Sequence, residues 1–143
     1  MAVFNNDKSN ALISGTSSND TIQNGGRWND FWYSREYYHD GGLKVTISGG
    51  AGDDKIWNDA DSVTISGGYG NDMISNGIEI SKNTSINGGA GNDFIENECS
   101  NVTIKSGIGS DTIFNACYEW TYKGTQDCNG NPKSRPDKRH FDK

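Results

Sequence analysis

Isoleucine recurs at two fixed places in a long repeat along this chain. One column holds Ile13, Ile47, Ile65, Ile86 and Ile104, and the other holds Ile22, Ile56, Ile74, Ile95 and Ile113. Two residues after each member of the second column stands an asparagine, at Asn24, Asn58, Asn76, Asn97 and Asn115. Around these positions apolar and polar residues alternate with a period of two, as in Val45-Thr46-Ile47 and Val63-Thr64-Ile65, which predicts short β-strands with one face inward. An aspartate column keeps the same phase: Asp54, Asp72, Asp93 and Asp111 are separated by 18, 21 and 18 residues, so the working unit is 18. Each unit holds two short strands and two turns. A single unit cannot bury its own apolar face, so the units must stack, and an all-β solenoid follows.

One turn of each unit is rich in Gly and Asp. The copies read Ser48-Gly-Gly-Ala-Gly-Asp-Asp-Lys-Ile56, Ser66-Gly-Gly-Tyr-Gly-Asn-Asp-Met-Ile74, Asn87-Gly-Gly-Ala-Gly-Asn-Asp-Phe-Ile95 and Lys105-Ser-Gly-Ile-Gly-Ser-Asp-Thr-Ile113. A degenerate copy, Ser14-Gly-Thr-Ser-Ser-Asn-Asp-Thr-Ile22, precedes them. The pattern resembles the RTX, or hemolysin-type, calcium-binding repeat Gly-Gly-x-Gly-x-Asp-x-U-x, with U a large apolar residue, over roughly residues 11 to 124. The resemblance implies a right-handed parallel β-roll, or β-helix, here of about five to six coils. It also implies calcium as the bound cofactor. Where the family's blocks repeat every nine residues and carry calcium on both edges, this motif recurs every 18, so calcium is expected on one edge only.

The chemistry of the turn agrees with that assignment. Calcium takes six to eight oxygen ligands and mixes carboxylates with backbone carbonyls, and glycines permit the backbone angles that aim successive carbonyls at one point. Stacked strands lie about 4.8 Å apart, close enough for carboxylates of adjacent coils to flank one ion. Magnesium, with its rigid octahedral demand, fits such a turn less well. The resemblance implies sites flanked by Asp54 with Asp72, Asp72 with Asp93, and Asp93 with Asp111. Carbonyls of Gly49, Gly50, Ala51 and Gly52, of Gly67, Gly68, Tyr69 and Gly70, of Gly88, Gly89, Ala90 and Gly91, and of Gly107, Ile108 and Gly109 would complete them. About three ions are expected. Asp20 is the weakest member, because Thr16, Ser17 and Ser18 replace the middle glycines, and a fourth ion depends on it. The asparagine column is read as structural, each side chain bonding to the next coil's copy or to turn backbone.

Two features break the repeat. Between Asn24 and Val45 about 16 residues are inserted at the plain edge, spanning 25–42 and carrying Trp28, Phe31, Trp32, Tyr33, Tyr37 and Tyr38 between glycine pairs. The favoured reading is a hydrophobic cover over a roll face. The other is a recognition loop for a glycan or surface protein, in which Trp28, Trp32, Tyr33, Tyr37 and Tyr38 make the contacts. Between Asn76 and Thr84 three extra residues predict a longer turn. After the last Gly-Asp turn, Trp120-Thr121-Tyr122-Lys123-Gly124 matches Val102-Thr103-Ile104-Lys105-Ser106, and Trp120 and Tyr122 are expected to close the open end as part of a cap over 117–132. Residues 1–132 thus form one domain, with a basic tail at 133–143.

Composition bears on what remains. Of 143 residues only 31% are hydrophobic, 19 are Gly and the net charge is −6, with a mean hydropathy of −0.80, so an ordinary packed core is scarce and a cation would relieve excess negative charge. The acidic body argues against nucleic-acid binding, and no run reaches membrane-spanning length. Three cysteines set no disulfide framework; Cys99 and Cys117 lie 18 apart and should stack as small corner residues, or pair, while Cys128 has no mate. No catalytic motif is found, His39 and His140 stand alone in the insert and tail, and calcium accounts for the aspartates, so the chain is read as non-enzymatic. Met1 to Asn10 has no apolar core of a signal peptide. The resemblance implies a bacterial extracellular or cell-surface module, exported by type I secretion and folding on calcium, with an adhesin-like glycan- or protein-binding role as the alternative.

Overall fold

The computed structural model describes residues 1–25, 42–78, 83–115, 119–121 and 124–126. Within these residues the chain is strand and turn throughout, as the period-two alternation requires. Six strands form one sheet in the order β1 (Val3–Asn6), β3 (Thr21–Asn24), β5 (Lys55–Asn58), β7 (Met73–Ile78), β9 (Phe94–Glu98), β11 (Thr112–Asn115). Five form a second, β2 (Leu12–Ser14), β4 (Thr46–Ala51), β6 (Thr64–Tyr69), β8 (Ser85–Ala90), β10 (Thr103–Ile108). Every pairing in both sheets is parallel. The chain passes from one sheet to the other at each turn, so strands adjacent in a sheet are one coil apart. The product is a β-solenoid of about five turns.

Register follows the isoleucines. Ile22, Ile56, Ile74, Ile95 and Ile113 stand opposite one another in the first sheet, and Ile13, Ile47, Ile65, Ile86 and Ile104 in the second. All but Ile104 and Ile113 are buried, and with Val45, Val63 and Ala60 their side chains fill the space between the sheets. Each fully buried Ile contributes about 1.5–3 kcal/mol of apolar transfer, so the column supplies most of the drive for stacking. At the last coil burial falls away: Ile113 is 46% exposed and Ile104 only partly covered.

The chain begins earlier in the roll than its motifs indicate. β1 pairs with β3 so that Phe4 stands opposite Ile22 and Asn6 opposite Asn24. The pair Phe4-x-Asn6 repeats the spacing of Ile22-x-Asn24 and was the available signal, hidden because Phe replaces Ile and no Gly-Asp turn precedes it.

The plain edge turns through one left-handed non-glycine residue per coil: Asn10, Lys44, Ser62, Asn83 and Asn101 have φ of +57°, +55°, +60°, +55° and +55°. Asn accepts this conformation better than Lys or Ser. The extra residues between Asn76 and Thr84 leave both ladders in register apart from an irregularity between Asn76 and Ile78, where Ile78 pairs with Glu98. The segment likened to Val102–Ser106 contains one described strand. Its strand β12 (Glu119–Thr121) pairs antiparallel with β13 (Gly124–Gln126) in a separate two-stranded sheet, and β10 is the last strand of its own sheet. The likeness to Val102–Ser106 is thus one of sequence and not of ladder pairing. The side chains of Trp120 and Tyr122, expected to close the end, lie outside the described residues, as do the insert at 26–41 and Cys117.

Candidate metal centre

Two ladders of side chains run along the opposite edges of the solenoid, and both arise from the 18-residue period. On the plain edge each asparagine donates its Nδ2 to the Oδ1 of the next: Asn6 to Asn24, Asn24 to Asn58, Asn58 to Asn76, Asn76 to Asn97 and Asn97 to Asn115, at 2.7–2.8 Å. The same amides hold the turns that follow, as when Asn58 Nδ2 donates to the Ala60 carbonyl and Asn97 Nδ2 to that of Cys99, both at 2.9 Å. Their structural reading holds, with Asn6 added. Cys99 is buried beside this ladder, its Sγ donating to the Gly77 carbonyl at 3.3 Å, in the small corner position that Ala60 takes in its own coil.

The Gly-Asp edge differs in chemistry. Gly49–Ala51, Gly67–Tyr69, Gly88–Ala90 and Gly107–Ile108 continue their strands, so the turn itself is confined to a few residues ending in Asp54, Asp72, Asp93 and Asp111. Gly50, Gly68, Gly89 and Gly107 stand in register at φ of +109° to +121°, a conformation that Cβ-bearing residues resist. The carbonyls of Tyr69, Ala90 and Ile108 each accept a backbone N–H from the preceding coil, namely Gly52, Gly70 and Gly91. Each of these three oxygens, expected as calcium ligands, thus carries one ladder hydrogen bond.

The aspartates stack as expected. Each Oδ1 accepts the backbone N–H of the aspartate one coil earlier: Asp54 from Asp20 at 2.7 Å, Asp72 from Asp54 at 2.8 Å, Asp93 from Asp72 at 2.9 Å and Asp111 from Asp93 at 3.0 Å. The second oxygen, Oδ2, of Asp54, Asp72 and Asp93 is buried and makes no hydrogen bond. It lies over the first glycine of its own turn, beside a carbonyl of the next coil. A β-carbon added to Gly49 would strike Asp54 Oδ2 and the Gly67 carbonyl; at Gly67 it would strike Asp72 Oδ2 and the Gly88 carbonyl; at Gly88, Asp93 Oδ2 and the Ser106 carbonyl. Three cradles result, each setting a carboxylate oxygen that has no hydrogen-bond partner near a carbonyl of the next coil.

Oxygens crowded in this way repel one another unless a positive charge joins them. Burial accordingly raises the pKa of Asp54, Asp72 and Asp93 above the ordinary carboxylate value, against the lowering effect of the N–H that each accepts. Asp72, with the carboxylates of Asp54 and Asp93 on either side, is pushed up to about 6. Among the described residues no three His, Cys, Asp or Glu side chains cluster, so a cation here would draw many of its ligands from backbone carbonyls. An all-oxygen set of that kind suits a hard cation of flexible coordination, and calcium fits it.

Asp20 is different. Its Oδ1 accepts the Ala2 N–H at 2.6 Å, and its Oδ2 accepts both the backbone N–H and the hydroxyl of Thr16, at 2.6 and 2.7 Å. The pKa of Asp20 is lowered, chiefly by the Ala2 N–H.

One ladder escaped notice in the sequence. The residue before each aspartate accepts, through its side-chain oxygen, the N–H of its counterpart in the next coil: Asn19 from Asp53, Asp53 from Asn71, Asn71 from Asn92 and Asn92 from Ser110, at 2.8–3.0 Å. Its signal was the unbroken run of Asn, Asp or Ser at that place.

A family model described as the RTX calcium-binding nonapeptide repeat matches residues 45–65, 59–78 and 82–96. No curated protein and no solved structure gives a significant match. The matched stretches contain the turns whose carboxylates hold an unpartnered oxygen, at Asp54, Asp72 and Asp93. Over residues 45–78 and 82–96 the chain is an array of RTX-type calcium-binding repeats.

Proposed function

We propose that this is a calcium-dependent folding module, with one ion in each of the three cradles at Asp54, Asp72 and Asp93 and no catalytic activity. The observation that carries it is the set of three buried Oδ2 atoms without a hydrogen bond, each beside a carbonyl of the next coil. Bound calcium would supply the charge that these oxygens lack, and because each cradle exists only when two coils are stacked, binding free energy becomes folding free energy. Gly49, Gly67 and Gly88 admit the carboxylate, and Asp54, Asp72 and Asp93 with the Gly67, Gly88 and Ser106 carbonyls would hold the ion. Such coupling suits a protein kept unfolded where calcium is scarce and folded outside the cell, the use to which secreted RTX proteins put their repeats. Calcium titration followed by circular dichroism tests it: β-structure should appear with the ion and be lost on chelation. A chain fully folded in excess chelator that takes up no calcium would refute it.

A second reading concerns the aromatic insert, and its support is the closure at its base. Gly42 N donates to Asn24 Oδ1 and Asn24 Nδ2 to the Gly42 carbonyl, both at 3.1 Å, the pairing that Asn58 makes with Ala60 two residues on. Gly42 thus takes beside Asn24 the place that Ala60 takes beside Asn58, a closed base that would suit a loop carried for a glycan or surface protein. Replacing Trp28, Trp32 and Tyr38 together by Ala separates the roles: calcium-dependent folding that persists while partner binding is lost supports recognition, and lost folding supports a cover.

A further inference from the structure

The first Gly-Asp turn has the same aspartate as the others but none of their unpartnered oxygen, and the difference traces to one residue. In the later turns the second motif position is Gly50, Gly68 or Gly89, with positive φ. In the first turn that position is Thr16, whose φ is not among the positive ones. Its N–H and its hydroxyl converge on Asp20 Oδ2 at 2.6 and 2.7 Å. The carboxylate is drawn away from the cradle as a result: a β-carbon added at Gly15 would stand 3.1 Å from Asp20 Oδ2, against 2.5 Å between one at Gly49 and Asp54 Oδ2. Oδ1 keeps the same role throughout, since the Ala2 N–H meets it as the Asp20 N–H meets that of Asp54.

We infer that Thr16 stands in for a cation in the first turn and sets the number of ions that the solenoid takes. Its two donors meet the buried carboxylate oxygen that calcium would otherwise meet, so the first coil closes with protein groups alone and the ion array begins at Asp54. A carboxylate carrying three hydrogen bonds has little left to offer a metal, and an ion entering here would have to displace both Thr16 donors. Ser18 supports the arrangement: its N–H donates to Thr16 Oγ1 at 3.2 Å, leaving the hydroxyl proton for Asp20. The inference rests on the proposed calcium binding and concerns only where the array starts.

Native mass spectrometry of the whole chain in saturating calcium, with isothermal titration calorimetry, tests it. Wild type is expected to bind three ions, and Asp20→Asn still three. The double variant Thr16→Gly, Ser18→Gly, which restores the glycine pattern of the later turns, is expected to bind a fourth. Four ions in wild type, with one lost in Asp20→Asn, would overturn the inference and leave the proposed function standing. Three ions in the folded double variant would equally remove Thr16 as the determinant. No calcium uptake by wild type would instead refute the proposed function itself. The wild-type count alone decides between three and four should either variant fail to fold.

Discussion

Asp72 offers the sharpest test, because a proton and a calcium ion compete for the same buried charge. Its carboxyl group titrates near 3.8 when unfolded and at about 6 when buried between Asp54 and Asp93. A folded-state pKa above the unfolded one means that the native chain binds more protons between those values, so in chelator stability falls as pH rises from 4 to 6. Below 3.8 there is no penalty; above about 6 it is complete. At 1.36 kcal/mol per pH unit the interval corresponds to at most about 3 kcal/mol, and to roughly 1–2 after allowance for solvent screening at the solenoid's edge. Asp72→Asn removes that penalty. The amide Oδ1 can still accept the Asp54 N–H, and its Nδ2 becomes a donor beside the Gly88 carbonyl.

Two buffers and one variant suffice for the assay. In excess chelator, wild type followed by circular dichroism should be more stable, or regain more β-structure, at pH 5 than at pH 7.5. Asp72→Asn at pH 7.5 should exceed wild type by about 1–2 kcal/mol and show a flatter pH profile. In saturating calcium the order should reverse, since the variant has lost a ligand charge. An Asp72→Asn variant less stable than wild type in chelator at pH 7.5, or apo stability that climbs from pH 4 to 6, would refute the reasoning.

Other outcomes follow from the same geometry. Asp72→Ala and Asp93→Ala should raise the calcium midpoint of folding more than Asp20→Ala does, as read from titrations in parallel; equal midpoints would contradict the proposed cradles. Asn76→Ala takes one hydrogen bond from each of Asn58 and Asn97 inside the stack, and urea unfolding should show a loss of about 2–4 kcal/mol. Ile74→Ala, at a fully buried position, should cost about 2–5 kcal/mol, whereas Ile113→Ala, 46% exposed, should cost about 1 or less. Lys44→Asn and Ser62→Asn, which place at two left-handed turns the residue found at Asn10, Asn83 and Asn101, should each raise the urea midpoint by the equivalent of about 0.5 kcal/mol.

Most of this architecture is written in the order of the residues, for a physical reason. In a solenoid the contacts of one coil repeat in the next, so a local alternation of two and a period of 18 already specify strand, inward face and register. Ile22 over Ile56 over Ile74, the Asn ladder and the Asp column could all be read that way. What the tertiary structure alone decided concerns hydrogen-bond partners one coil away. The N–H of Asp54 reaches Asp72 rather than its own turn; the carbonyls of Tyr69, Ala90 and Ile108 each accept an N–H from the coil before; and Asp20 is met by Ala2 and Thr16. The half-coil of Phe4 and Asn6, and the antiparallel pairing of Glu119–Thr121 with Gly124–Gln126, likewise depend on which neighbour a strand finds. Five aspartates share one place in the repeat, but only the stacking shows that three of them hold a buried oxygen without a partner, because that property belongs to the space between coils.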